Sequence, residues 1–179
     1  ITLHVGAGTF KPIQSEIIAD HDMHTEHFVV EAAAISEILQ KTEKLITVGT
    51  TSVRTLESLY WLGVKLIENI DISDGILQWD HYNLPNKYSV DKALTALQKH
   101  MNSNKLSFFN SKTAIIIVPG YKFRLVKTLI TNFHQPNSTL LLLIGAFIGN
   151  DWTKIYDYAL NNDFRFLSYG DSSILFGNG

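Results

Sequence analysis

Cysteine is absent from the 179 residues, which excludes disulfides, thiolate metal sites and cysteine nucleophiles; covalent or metal chemistry would have to use His, Asp, Glu, Ser or Thr. An excess of basic charge is absent too. Fifteen Lys and Arg against 17 Asp and Glu leave a net charge of −2, which excludes a domain that is basic all over but not a local basic patch. Long apolar runs are missing: the longest, residues 140–147 with Gly145 inside it, falls well short of the roughly 20 residues a membrane span needs. No cationic lead precedes an apolar stretch, so a cytoplasmic protein with no membrane partner is expected. Charged residues make up only 18% and mean hydropathy is +0.05, slightly apolar for a free-standing domain, so some surface is expected to be covered.

The length suits one domain with a sizeable core. Residues 26–41 place Phe28, Val29, Ala32, Ala33, Ile35, Ile38 and Leu39 at near-helical spacing and predict an amphipathic helix. KLITVG (44–49) reads as a short buried strand, and TTSVRTLESLYWLG (50–63) as a helix capped by Thr50, Thr51 or Ser52 and stopped by Gly63. Residues 71–88 read as a hairpin turning at Asp74-Gly75, and Ser89 caps a helix running to Met101. TAIIIVPG (113–120) and LVKTLITNF (125–133) read as strands, and STLLLLIGAFIG (138–149) as a helix apolar on every side. A helix over 151–161 and a strand in 164–176 complete the pattern. Strands alternating with helices predict an α/β fold, a three-layer α/β/α arrangement with a mixed sheet. The opening run ITLHV reads as a strand without lead-in, so the chain is expected to be a portion of a larger domain.

Three constellations can carry chemistry. His21, His24 and Glu26 lie within six residues, with His4 and the Gly6-Ala7-Gly8-Thr9-Phe10 segment before them, and can act as acid and base or hold a divalent ion. The spacing lacks the helical HExxH context, so hydrogen-bonded structure outweighs a metallohydrolase and no metal is expected. Gly49, Thr50, Thr51, Ser52 and Arg54 lie where a strand passes into a helix; such a start attracts a carboxylate or phosphate, while the bland alternative has Arg54 facing Glu57 or Glu26. Asn132 and His134 sit in a polar loop after a strand, where α/β proteins tend to bind ligands, and Tyr169-Gly170-Asp171 is a comparable polar turn. Lys122, Arg124 and Lys127 cluster in one stretch, with Arg165 further along.

LHVGAGTFKP (3–12), HDMHTE (21–26), VGTTSVRTLES (48–58), PGYKFRLVKTLITNFHQPNSTLLLL (119–143) and FRFLSYGDSSILF (164–176) resemble, in order, signature segments of the S-adenosylmethionine:tRNA ribosyltransferase-isomerase family. The resemblance covers nearly the whole chain, but only the later part of a family member; a preceding α/β stretch and an inserted β-barrel domain would be missing. It implies transfer and isomerisation of the ribosyl part of S-adenosylmethionine onto the aminomethyl-deazaguanine base of tRNA, giving epoxyqueuosine. S-adenosylmethionine would be co-substrate and tRNA the partner. It also implies that His21, His24, Glu26 and His134 supply the base and the proton donor. Gly49, Thr50, Thr51, Ser52, Arg54, Asn132, Tyr169 and Asp171 would hold substrate, with Arg54 and the hydroxyls on the methionine carboxylate. Lys122, Arg124 and Lys127 would meet tRNA phosphates. Two departures stand out: residues 71–112 are longer than the family pattern and read as an insertion, and Gln135 and Asn137 stand where Leu and Lys are usual. Loss of that Lys points to the alternative of a non-catalytic or altered-substrate paralogue that binds nucleoside or RNA.

Overall fold

The computed structural model describes residues 1–6 and 17–177, so Gly8, Thr9 and Phe10 of the glycine-containing segment lie outside the described residues. The fold is α/β, with its strands divided between two three-stranded sheets. The first is antiparallel, with β1 (Thr2–His4), β2 (Glu26–Glu31) and β4 (Phe108–Thr113) in the order β1-β2-β4. The second is mixed. Its strands β3 (Ile46–Val48), β5 (Thr128–Asn132) and β6 (Ser172–Phe176) lie in the order β3-β5-β6, with β3 parallel and β6 antiparallel to β5.

Residues 26–31 form β2 rather than the first turns of a helix, and only 32–41 become α1 (Ala32–Lys41). The reason is a period of two inside the apolar run: Glu26, Phe28 and Val30 are buried while His27 and Glu31 face outward. Strand β4 likewise ends at Thr113, where the apolar run TAIIIVPG was expected to begin one; Ile115, Ile116 and Ile117 are buried without joining a sheet.

Helix α2 (Thr50–Ile67) runs through Gly63 instead of stopping there, and it is buried on nearly every side, with Val53, Leu59, Tyr60, Leu62 and Val64 fully enclosed. Gly63 serves close packing: a Cβ there would sit 2.1 Å from the Ala93 carbonyl oxygen on α4 (Val90–Ser103). Ser89 caps α4 as expected, its Oγ accepting from the Lys92 amide.

The region 71–88 is a turn and a short helix, α3 (Asp80–Asn83), not a hairpin. Gly75 adopts φ +67° where a Cβ would strike the Lys112 carbonyl, and Ile76 makes a single bridge to Thr113. Buried Lys65 holds this connection to α2, donating to the Gly75 carbonyl at 2.8 Å and pairing with Asp80 at 2.6 Å. Helices α5 (Thr139–Ile148) and α6 (Asp151–Asn161) follow β5, with Ser138 capping α5. Residues 164–171, expected to join the last strand, form an irregular loop with a turn at 168–169, and only 172–176 pair. Among the described residues no helix is long and apolar enough to cross a membrane.

Gly63→Ala is expected to lower stability by about 1–3 kcal/mol, because the forced separation of α2 and α4 outweighs the helix propensity gained. Urea denaturation measures it; an unchanged midpoint would show that the contact has slack.

Candidate functional site

Because β3 and β5 are parallel, their carboxyl ends lie side by side, each running into a helix: Val48 through Gly49 into α2, and Asn132 through residues 133–138 into α5. Between them opens a cleft of about 610 Å³ whose lining includes Thr50, Thr51, Ser52, Asn132, His134 and Tyr169, the size range of small-molecule sites. Gly49 makes the turn possible. Its φ of +85° favours glycine, and its amide donates to the Ile130 carbonyl at 2.9 Å, pinning the helix start to β5. No side chain caps α2, so the expected capping by Thr50, Thr51 or Ser52 does not occur; the helix start, with the N–H groups that have no intrahelical partner, borders the cleft.

Behind this wall lies a buried polar network. Glu26, 1% exposed, accepts from Arg54 Nη1 at 2.7 Å and from Thr51 Oγ1 at 3.1 Å, and its carboxylate stands 3.3 Å from His24 Nε2. Arg54 Nη1 also lies 3.1 Å from that imidazole nitrogen. The rest of the guanidinium is spent on backbone: Nε donates to the Ile115 carbonyl, Nη2 to those of His24 and Thr113. Burial pulls the Arg54 pKa down, and Glu26 pushes it back up. Of the two sequence readings of Arg54, the geometry is that of a residue paired with Glu26; its side chain is not among those lining the cleft. Thr51 is the link, present on the cleft wall and bonded to Glu26.

His134 lines the opposite side. Its amide donates to Tyr156 Oη at 3.0 Å, Nε2 pairs with Thr131 Oγ1 at 3.0 Å, and burial lowers its pKa to about 4, so the ring is neutral at pH 7. Asn132 Nδ2 donates to the Gly170 and Asp171 carbonyls and to Ser172 Oγ, binding the cleft-side turn to β5. Asp171 is occupied by Arg165, whose amide and guanidinium it accepts, and Tyr169, 97% exposed, stands at the cleft mouth.

The remaining expected site residues lie elsewhere. His21 is in neither the cleft lining nor the Glu26 network; its carbonyl accepts from Gln78 Nε2 while Met23 N donates to Gln78 Oε1. Lys127 pairs with Glu43, Arg124 lies over the Tyr60 and Trp61 rings at 5.3 and 5.7 Å, and Lys122 is exposed, so two of the three cations have protein partners. Among the described residues no group of three or more His, Asp or Glu could hold a metal ion.

Sequence reasoning missed Gln78 and His81, and it offered Glu57 only as a possible partner of Arg54. Glu57 is fully buried; burial raises its pKa against the bonds it accepts from the Val126, Leu125 and Arg124 amides and Tyr121 Oη. It thereby shapes the segment entering β5, and a carboxylate in the middle of an apolar helix was its only signal. His81, held among Trp61, Trp79, Tyr82 and Tyr121, has both ring nitrogens buried without a hydrogen-bond partner among the described residues, and burial lowers its pKa to about 4 despite Asp80.

Fold and cleft together define an α/β domain with a ligand-sized site at the carboxyl ends of its parallel strands. The chain belongs to the Queuosine biosynthesis protein family, whose sequence pattern matches residues 1–175. It is 35% identical to the S-adenosylmethionine:tRNA ribosyltransferase-isomerase of Treponema denticola, over 98% of this chain and 40% of that protein. With the enzyme of the same name from Rickettsia bellii it shares 36% identity over 98% of this chain and 39% of that one. The crystal structure of S-adenosylmethionine tRNA ribosyltransferase from Thermotoga maritima is similar at a TM-score of 0.54 and 28% identity, covering 83% of this chain and 40% of that one. The chain thus spans about 40% of the length of the curated relatives it matches.

Arg54→Ala strands a buried carboxylate and is expected to cost about 3–5 kcal/mol of stability, measured by denaturant titration; a loss below about 1 kcal/mol would show that Glu26 is held without it. His81 and His134, with folded pKa values of about 4, are protonated first in the unfolded chain, so their contribution to stability is intact above about pH 6.5 and is lost as pH falls toward 4. His81→Phe removes one such group with little change in packing. Its melting temperature relative to the parent is expected to be higher at pH 5 than at pH 8, and an equal offset at both would refute the assignment.

Proposed function

We propose that the protein carrying this chain transfers and isomerises the ribosyl moiety of S-adenosylmethionine onto the aminomethyl-deazaguanine base of tRNA, yielding epoxyqueuosine with release of adenine and methionine. The observation that carries the reading is the cleft where the uncapped start of α2 meets the His134 loop, in a chain of this family. The partial positive charge of the helix start and the hydroxyls of Thr50, Thr51 and Ser52 receive the methionine carboxylate. This is the anion contact first expected of Arg54, whose part is instead to hold Glu26.

The sulfonium acidifies the neighbouring ribose carbon, so a positioned base can remove a proton there, and departure of adenine is eased by a proton donor. His24, whose Nε2 stands beside both the Glu26 carboxylate and Arg54 behind the cleft wall, is the candidate for that base. Neutral His134, with Nε2 engaged by Thr131, offers Nδ1 to the nucleoside. Asn132 and the Arg165–Asp171 pair brace the turn that carries Tyr169, which gives the base or nucleoside a face to stack on. Exposed Lys122, the cation of its cluster that neither an ion pair nor an aromatic ring holds among the described residues, remains the contact of choice for tRNA phosphates. S-adenosylmethionine and tRNA are the substrates, the protein works in the cytoplasm, and the polypeptide outside residues 1–179 contributes to the site.

Mixing full-length protein, S-adenosylmethionine and tRNA carrying the deazaguanine precursor is expected to release adenine, while precursor-free tRNA releases none. Binding of S-adenosylmethionine by folded protein with no adenine in either mixture would overturn the catalytic reading in favour of a binding paralogue.

A further inference from the structure

Residues 21–25 carry His24 and lead into Glu26, yet they form neither helix nor strand. Their backbone is held by side chains. Arg54 Nη2 donates to the His24 carbonyl at 3.0 Å. Just upstream, Gln78 holds two groups at once: its Oε1 accepts from the Met23 amide at 2.9 Å, and its Nε2 donates to the His21 carbonyl at 2.6 Å. One carboxamide, with an acceptor and a donor side by side, matches that carbonyl and amide as the backbone of a neighbouring strand would. The Met23 side chain is buried as well.

Gln78 is itself fixed. Residues 76–78 run beside 112–116: the Ile76 amide donates to the Lys112 carbonyl, and the Ala114 and Ile116 amides donate to the carbonyls of Ile76 and Gln78. Lys65 ties the flanking Gly75 and Asp80 to α2. The carbonyls of Thr113 and Ile115, in the same 112–116 stretch, accept from Arg54. Both Arg54 and Gln78 are thus referred to one piece of backbone, and Gln78 comes from 71–112, the stretch that reads as longer than the family pattern.

We infer, on the reading of His24 as the base, that Gln78 is a positioning residue that sets where the His24 imidazole is presented, so that the longer 71–112 stretch of this chain takes part in the reaction. Held by Arg54 alone, the segment pivots about the His24 carbonyl. The bonds to His21 and Met23 stop that rotation and keep Nε2 at 3.3 Å from Glu26 and 3.1 Å from Arg54. A base displaced by about 1 Å loses on the order of 100-fold in rate. Binding is a separate matter: the α2 start and the His134 loop, which receive S-adenosylmethionine in the proposed reaction, involve neither Gln78 nor the backbone it holds.

Steady-state adenine release by the full-length protein, with tRNA carrying the precursor, tests this together with nitrogen NMR of the histidine rings. Gln78→Met keeps the size and loses both bonds. It is expected to lower kcat by at least about 10-fold with KM for S-adenosylmethionine within about 2-fold of the parent, and to shift the His24 ring signals while those of His134 stay. Ionised, Gln78→Glu still accepts from Met23 but cannot donate to His21. The same pattern at smaller amplitude is expected of it, and it decides the matter where the Met variant does not fold. Ser73→Ala, in the same connection at a residue bonded to Asp71, is expected to change neither readout. Unchanged kcat or unmoved His24 signals in a folded Gln78 variant would overturn the inference. So would His24 and His134 signals moving together with a lowered melting temperature, the mark of general loosening. Adenine released by the parent with unmoved His24 signals leaves the proposed reaction standing without the clamp. A selective His24 shift with no adenine from the parent removes the reaction and leaves the clamp.

Discussion

The buried pair of Glu26 and Arg54 is the constraint on which the rest of the structure depends. Glu26 opens β2 in the first sheet, and Arg54 lies in the first turns of α2, which springs from β3 in the second. The guanidinium spends its remaining donors on the carbonyls of His24, Thr113 and Ile115, the two chain segments that flank the pair. Desolvating two charges is costly, and the cost is offset only when every donor and acceptor is used at good geometry. The pair therefore ties β2 of the first sheet to α2, which follows β3 of the second, and removing either partner leaves the other buried and unpaired.

The cleft inherits its precision from this arrangement. Glu26 reaches it through Thr51 and holds His24, while Gly49, tied to Ile130, aims the start of α2 at the loop that carries His134. Glu57 performs the equivalent service one turn along α2, accepting three consecutive amides and shaping the entry to β5. Glu26 and Glu57 thus brace the surroundings of the cleft without being among the residues that line it. Tight packing of α2 on α4 at Gly63 keeps the helix that carries Arg54 and Glu57 in place.

Much of this was legible in the chain. The strand passing into a helix at 44–63, the Ser89 cap and the last helix follow from local chemistry, although the first of these helices runs on past Gly63 to Ile67. The misread places are those where local signals conflict. Residues 26–41 fit a helical period, yet 26–31 became a strand because alternate residues meet the core. Gly63, a stop signal by propensity, became a contact point because Ala93 lies across from it. The apolar run 113–118 reads as a strand, but the sheet ends at Thr113, and beyond it Ala114 and Ile116 donate their amides to the Ile76 and Gln78 carbonyls while the isoleucines are buried.

Sequence by itself determined the α/β class, the order of most elements, the family and the set of residues able to do chemistry, because these depend on side-chain type and near-neighbour spacing. Tertiary structure decided what each of them does. Arg54 lies 28 positions from Glu26 and 61 from Ile115, and no pattern in the chain says which partner a buried guanidinium will meet. His21 and His24 stand three apart, yet only His24 joins Glu26. Such assignments come from long-range packing, in which burial makes an unpaired charge or polar group costly enough to select one partner over another.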